Sequence, residues 1–203
     1  MAEGIKIEIY RDKNAGDFTA ALADPDSRLE TGSGTAWTAA AAAAFLCRAA
    51  ALTARTVSGS ERVDYIARNA ENLRKYMVHL IDEDVRSRGP LRRAMKEGGA
   101  REIEAASEPA MSISREIVNM MGQIVGLANE LAAFCPQEGL HFLAACAELA
   151  LASMRAARHY IVDLSDKSTD ETFRFINRRE NEILIGAASA AAEELLAFVE
   201  ERI

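Results

Sequence analysis

Composition, periodicity and punctuation together predict an all-α fold, an antiparallel bundle of long helices. Aromatic residues make up only 6% of the chain and prolines number 4, a poor supply for a sandwich or a barrel. Apolar residues recur at helical spacing over long windows, and short Gly, Pro or polar breaks separate those windows. The connections are short enough to make sequential helices antiparallel neighbours.

The elements follow in order. Ile5, Ile7 and Ile9 alternate with charged residues and predict a short extended arm. Asp17 to Ala23 is a short helix with Phe18 and Leu22 one turn apart, ended by Asp24-Pro25-Asp26-Ser27. Thr35 is the expected N-cap of an alanine-rich helix reaching about Thr56. After Ser58-Gly59-Ser60, Ser60 caps a helix running to about Met95, and Gly98-Gly99 closes it. Glu108-Pro109 opens the next helix, since proline suits a first turn, and Met111, Ile113, Ile117, Met120, Met121, Ile124 and Leu127 form its stripe. Cys135-Pro136-Gln137 separates it from a helix over Gln137 to Leu164. Ser168-Thr169-Asp170-Glu171 is a capping signal for the last helix, which carries Phe173, Ile176, Ile183 and Leu184 and closes with Leu195, Leu196 and Val199.

Bulk properties narrow the function. The 203 residues fit a single domain, 1–203, large enough for a full core. A net charge of −7 argues against a general nucleic-acid or anionic-membrane binder. Cys47, Cys135 and Cys146 are odd in number and lack ligand spacing, so neither a disulfide framework nor a metal site is expected. The N-terminus has no signal-peptide pattern, and the small-residue run Ala36 to Ala54 is interrupted by Arg48, so no membrane span is expected. The expected compartment is the cytoplasm.

The segment with most chemical content is Leu29 to Ala44, where Gly32-Ser33-Gly34-Thr35 runs into alanines. Gly32 and Gly34 permit positive φ or close approach, and free N–H groups of a first helical turn accept anions. Trp37, the single tryptophan, either packs in a seam or walls a pocket and stacks on a flat ligand. Arg155 and His159 lie one turn apart and form a pair suited to a carboxylate or phosphate, or an ordinary surface pair. Arg86, Arg88, Arg92, Arg93 and Lys96 put positive charge near a helix end, where they complement its dipole or attract an acidic group. His79 and Asp84 are roughly 140° apart around a helix and cannot face one pocket together. His141 is read as a packing residue.

These pieces, in this order, resemble the cyclodeaminase/cyclohydrolase family: the cyclodeaminase half of formiminotransferase-cyclodeaminase and similar methenyltetrahydrofolate cyclohydrolases. The resemblance spans essentially the whole chain. It rests on Asp17-Phe18, then Thr31-Gly32-Ser33-Gly34-Thr35 before Ala36 to Ala44, then Glu83-Asp84 within the second long helix, then Glu108-Pro109. It implies a homodimeric helical bundle with its ligand near the glycine turn. It further implies a tetrahydrofolate derivative as substrate or ligand and no tightly bound cofactor. Departures accompany it. Thr31 and Ser33 stand for the family's proline and middle glycine, Ser87-Arg88 for its Ala-Phe, Pro136 and Gln137 for its Ser-Asp, and Arg155 and His159 for its paired asparagines.

Carried onto these positions, the resemblance implies Asp84 as the catalytic acid or base, flanked by Leu80 and Ile81. Gly32, Ser33, Gly34, Thr35, Trp37, Gln137, Arg155 and His159 become the ligand-binding set. Both family reactions act on a one-carbon unit bridging two folate nitrogens, and each needs a proton moved to or from nitrogen or oxygen. The leading expectation is a diverged cyclohydrolase or cyclodeaminase. The alternatives are a folate- or pterin-binding protein without turnover, and an enzyme of this fold recruited to another cyclisation or imine chemistry.

Overall fold

The structure, a computed structural model, describes residues 8–203. It is helical throughout, without a strand among the described residues: α1 (Ala15–Ala23), α2 (Thr31–Thr56), α3 (Glu61–Ser87), α4 (Gly89–Glu97), α5 (Ala100–Ala132), α6 (Gln137–Ser165) and α7 (Glu171–Glu200). Of the expected extended arm, Ile5 and Ile7 lie outside the described residues. Ile9 is exposed, and the backbone from Glu8 to Tyr10 has no regular structure. The arm is held instead by Asp82 of α3, whose Oδ1 accepts the Tyr10 N–H at 2.7 Å.

Polar side chains set several helix starts by accepting otherwise unpaired N–H groups. Asn14 accepts from Asp17 N at 2.9 Å, Ser60 from Val63 N at 3.4 Å, and Asp170 from Thr172 N at 2.8 Å and Phe173 N at 3.1 Å. The connection between α2 and α3 turns at Gly59, whose φ of +78° is the left-handed conformation that glycine adopts without penalty.

α2 and α6 form the centre. α2 packs against α3, α6 and α5, while α6 also packs against α5 and α7. Ala36, Ala39, Ala43 and Ala50 of α2 and Ala147, Ala150 and Ala157 of α6 are fully buried, so these helices approach closely. Leu46, Met77, Met111, Ile117, Met121 and Ile124 fill the surrounding layers, each stabilising by about 1.5–3 kcal/mol relative to exposure. By length and composition α2 and α6 would also pass as membrane spans. Here their alanine faces are buried against one another and against neighbouring helices.

Three boundaries differ from expectation. α2 begins at Thr31 rather than Thr35, so Gly32, Ser33 and Gly34 form its first turn and not a loop. The helix expected to reach Met95 stops at Ser87, and α4 starts at Gly89 with Pro90 in its first turn. Proline there removes an N–H and clashes with the preceding turn, so the continuous helix breaks. Conversely, α5 runs from Ala100 through Pro109. Ile103, Ala106 and the buried Ala110 pack against the core on both sides of the proline, and that burial outweighs one missing hydrogen bond.

Candidate functional site

The site lies at the end of the bundle where α2 begins and where α3 and α6 finish. Glu30 precedes α2 in an extended conformation; its carbonyl accepts the Gly34 N–H at 3.1 Å, but its side chain caps nothing in the helix. The cap comes from α3. Asp84 Oδ2 accepts the Ser33 N–H at 2.9 Å, and the Ser33 hydroxyl lies 2.9 Å from the same oxygen and 3.0 Å from the Ile81 carbonyl. A carboxylate at a helix N-terminus is favoured by unpaired N–H groups and by the dipole.

Gly32 makes this docking possible. A Cβ at that position would stand 2.1 Å from Asp84 Oδ1 and 2.5 Å from its Cγ. The first glycine of the turn is therefore a seat for the Asp84 carboxyl, and its φ is ordinary. Asp84 is fully buried, and burial raises its pKa above the usual carboxylate value, against the opposing pull of Arg88 and of the Ser33 hydrogen bonds. Its Oδ1 has no hydrogen-bond partner.

Arg88 follows one turn after Asp84 at the end of α3 and is only 2% exposed. Its Nε lies 3.8 Å from Asp84 Oδ1, its Nη1 pairs with Glu30, and its guanidinium carbon stands 3.9 Å from the ring centre of Tyr160 on α6. Burial pushes the Tyr160 phenol up to about 12, so it stays protonated at neutral pH.

Two cavities meet at Glu30. One, of about 410 Å³, is a largely apolar groove along α2 and α6, walled by Leu22, Trp37, Thr38, Ala152 and Ala156 with Gly34 and Thr35 at its floor. The other, of about 120 Å³, is charged and lies over Arg88, with Arg92, Tyr160, Asp163 and Lys167 around it.

The sequence-derived residues distribute unevenly over this geometry. Gly32, Ser33 and Asp84 come together in one buried cluster. Gly34, Thr35 and Trp37 line the groove, but Thr35 is not the cap: its hydroxyl is 2.6 Å from the Thr31 carbonyl inside α2. Trp37 is 40% exposed and packs on Phe18, with ring centres 5.1 Å apart, so one face remains open to the groove. Gln137 is at the opposite end of the bundle. It donates to the Arg202 carbonyl at 3.0 Å, while its near neighbour Gly139 faces Leu52 at the far end of α2. Arg155 and His159 are exposed on α6 and line neither cavity. At about 100° per residue, Tyr160 points where His159 does not, and Tyr160 and Asp163 are the α6 residues that reach the charged cavity.

Sequence reasoning missed Glu30, Arg88 and Tyr160. For Arg88 a signal existed, since it follows Asp84 at i+4, the spacing of an intrahelical ion pair. Along the chain its charge groups it with the basic residues near a helix end, which hides that pairing. Of the histidines outside the cleft, His79 lies 3.2 Å from Arg11 Nη1 and 3.5 Å from Glu83, and His141 packs on Phe142.

The alanine-rich second helix of this bundle is thus capped by a buried carboxylate from the third, beside two cavities at one end. The chain belongs to the formiminotransferase-cyclodeaminase family, whose model matches residues 14–182. Among solved structures, the fold is similar to that of formiminotetrahydrofolate cyclodeaminase from Thermotoga maritima. The TM-score is 0.86 at 19% identity, over 94% of this chain and 97% of that one. No curated protein matches.

Proposed function

We propose that this chain acts on a one-carbon derivative of tetrahydrofolate, or on a similar pterin compound, by cyclohydrolase- or cyclodeaminase-like chemistry at this cleft. The observation that carries the reading is the Asp84 carboxyl. Burial holds its proton more tightly than usual, while the α2 N-terminus and Arg88 support the charged form. A carboxyl stabilised in both states can give a proton to nitrogen or oxygen and take it back. The apolar groove, with Trp37 on its wall, suits a flat ring, as stacking on an indole would require. Productive contact with Asp84 requires the Glu30–Arg88 pair to open, because that pair stands over the carboxyl.

A second reading is supported by the same cluster. Asp84 Oδ2 is engaged by Ser33 and Oδ1 rests against Gly32, so a purely structural cap accounts for the contacts of this carboxyl with α2. If that cap and the ion pair of Oδ1 with Arg88 are both structural, the chain binds a folate- or pterin-like ligand without turnover. The measurement that separates the two follows the absorbance of 5,10-methenyltetrahydrofolate beside a binding titration. Enzyme-dependent loss of absorbance, abolished by Asp84→Asn with binding retained, supports catalysis. Binding without turnover supports the second reading, and neither binding nor turnover points to another ligand.

The proposal includes a homodimer. The outer face of α7 leaves Phe175 67%, Ile176 46% and Ile183 57% exposed, an apolar patch that a second copy would cover. It also includes a reducing compartment, the cytoplasm, in keeping with the free thiols of Cys47, Cys135 and Cys146.

A further inference from the structure

The charged cavity contains an arrangement that the proposed reaction does not require. Arg88 is buried, with the Tyr160 ring against one face, yet its Nε makes no hydrogen bond, lying 3.8 Å from Asp84, and its Nη1 meets only the half-exposed Glu30. Arg92 stands at the mouth, oriented by its own bonds to the Val85 carbonyl at 2.9 Å and the Arg28 carbonyl at 3.2 Å. Lys167 closes another side, held at 3.0 Å by Asp163. Around the cavity, Arg88, Arg92 and Lys167 outnumber Glu30 and Asp163. Leaving a guanidinium buried with donor positions open is costly unless something accepts from them.

Within the chain, the group that reaches this position is a carboxylate. Glu30 places one oxygen on Arg88 Nη1 and the other 3.5 Å from Arg92 Nη1. Glu30 is suited to leave. Its side chain is 42% exposed and caps nothing in α2. We propose that the cavity over Arg88 is a carboxylate-binding subsite, with Arg88 as the buried fork, Arg92 as the cation at its mouth, and Glu30 as an internal occupant that an acidic small molecule displaces. A planar guanidinium matches a carboxylate through paired donors, and the 120 Å³ volume admits a group of that size. The subsite does not depend on which reaction takes place in the neighbouring groove, so it is tested with a simple dicarboxylate.

The test titrates the full chain with glutarate and with neutral glutaramide, by calorimetry at constant ionic strength. The expected result is millimolar binding of glutarate to the natural protein and none of glutaramide. Glu30→Gln, which keeps the shape but removes the competing charge, should tighten glutarate at least tenfold. Arg92→Gln should weaken it several-fold. Equal binding of acid and amide overturns the proposal, and so does an affinity unmoved by Glu30→Gln. Glutarate binding only to the Glu30→Gln protein also overturns it, because Glu30 would then be a permanent structural partner of Arg88. Absence of binding to every variant does the same. If Glu30→Gln folds poorly, the melting midpoint of Glu30→Ala supplies the second readout: propionate should raise it and propionamide should not. Turnover of the methenyl compound without glutarate binding would sink the subsite and spare the proposed reaction. Glutarate binding without any folate binding would do the reverse.

Discussion

Gly32→Ala tests the core of the site most directly, because two general rules predict opposite signs for it. Helix propensity alone favours alanine over glycine by up to about 1 kcal/mol, so the change would stabilise α2 if nothing else were nearby. The structure places Asp84 there instead. The added methyl would stand 2.1 Å, 2.5 Å and 2.9 Å from Oδ1, Cγ and Oδ2, distances that no flexible movement of the methyl can relieve. The carboxyl must retreat, which strains a packed interior by roughly 1–3 kcal/mol. Retreat also costs its hydrogen bonds to the Ser33 N–H and hydroxyl, about 1.5–3 kcal/mol for a charged acceptor. Set against the propensity gain, the net destabilisation is roughly 2–4 kcal/mol. For a chain of this length that lowers the melting midpoint by roughly 5–15 °C.

The assay is urea denaturation followed by circular dichroism, with Gly34→Ala as control. A methyl at Gly34 would meet only the Leu22 side chain, at 3.1 Å, and Leu22 is 38% exposed and free to rotate. The control should change stability by less than about 1 kcal/mol. In an Asp84→Ala background the cost of Gly32→Ala should disappear, since the clash has been removed. A Gly32→Ala protein as stable as the natural one, or more stable, would refute the docking of Asp84 on this turn.

Further expectations follow from the same geometry. Because burial raises Asp84, the native state keeps its proton at a pH where the unfolded chain, near its ordinary value of about 3.9, has lost it. This group alone therefore makes stability fall as pH rises through that window, and Asp84→Asn should remove that component from a denaturation series between about pH 4 and 7. A difference curve that rises with pH would contradict the sign. Burial pushes the thiols of Cys47 to about 11 and Cys146 to about 12, and raises Cys135 as well. Native protein at pH 7.5 should thus react slowly with a disulfide reagent and all three thiols should react quickly in denaturant. A rapid equivalent in the native state would count against this burial. Light scattering should give twice the chain mass, and Ile183→Arg, on the exposed face of α7, should return the monomer. A monomer in the natural protein would remove the proposed role of that face.

Much of the fold was legible along the chain because it is local. The period of the α5 stripe, the Ser60 and Asp170 caps and the Gly98-Gly99 break each depend on neighbours within a turn or two. The order of the glycine turn and of Glu83-Asp84 along the chain carried the family resemblance, and the structure brings Gly32, Ser33 and Asp84 together. The placement of helix ends was less legible where tertiary packing overrides local preference. Asp84 supplies the cap that lets α2 start at Thr31, and core burial carries α5 through Pro109. Which side chains share the buried cluster is set by packing alone. Arg88 meets Glu30 from before α2 and Tyr160 from α6, separations that no periodicity encodes. By contrast Arg155, His159 and Gln137 carry suitable chemistry but stand on other faces or at the other end of the bundle. Residue type and spacing determine which helices form and which face is apolar. Only the rotation and overlap of packed helices decide which polar side chains share one desolvated pocket, because that depends on contacts between residues far apart in the chain.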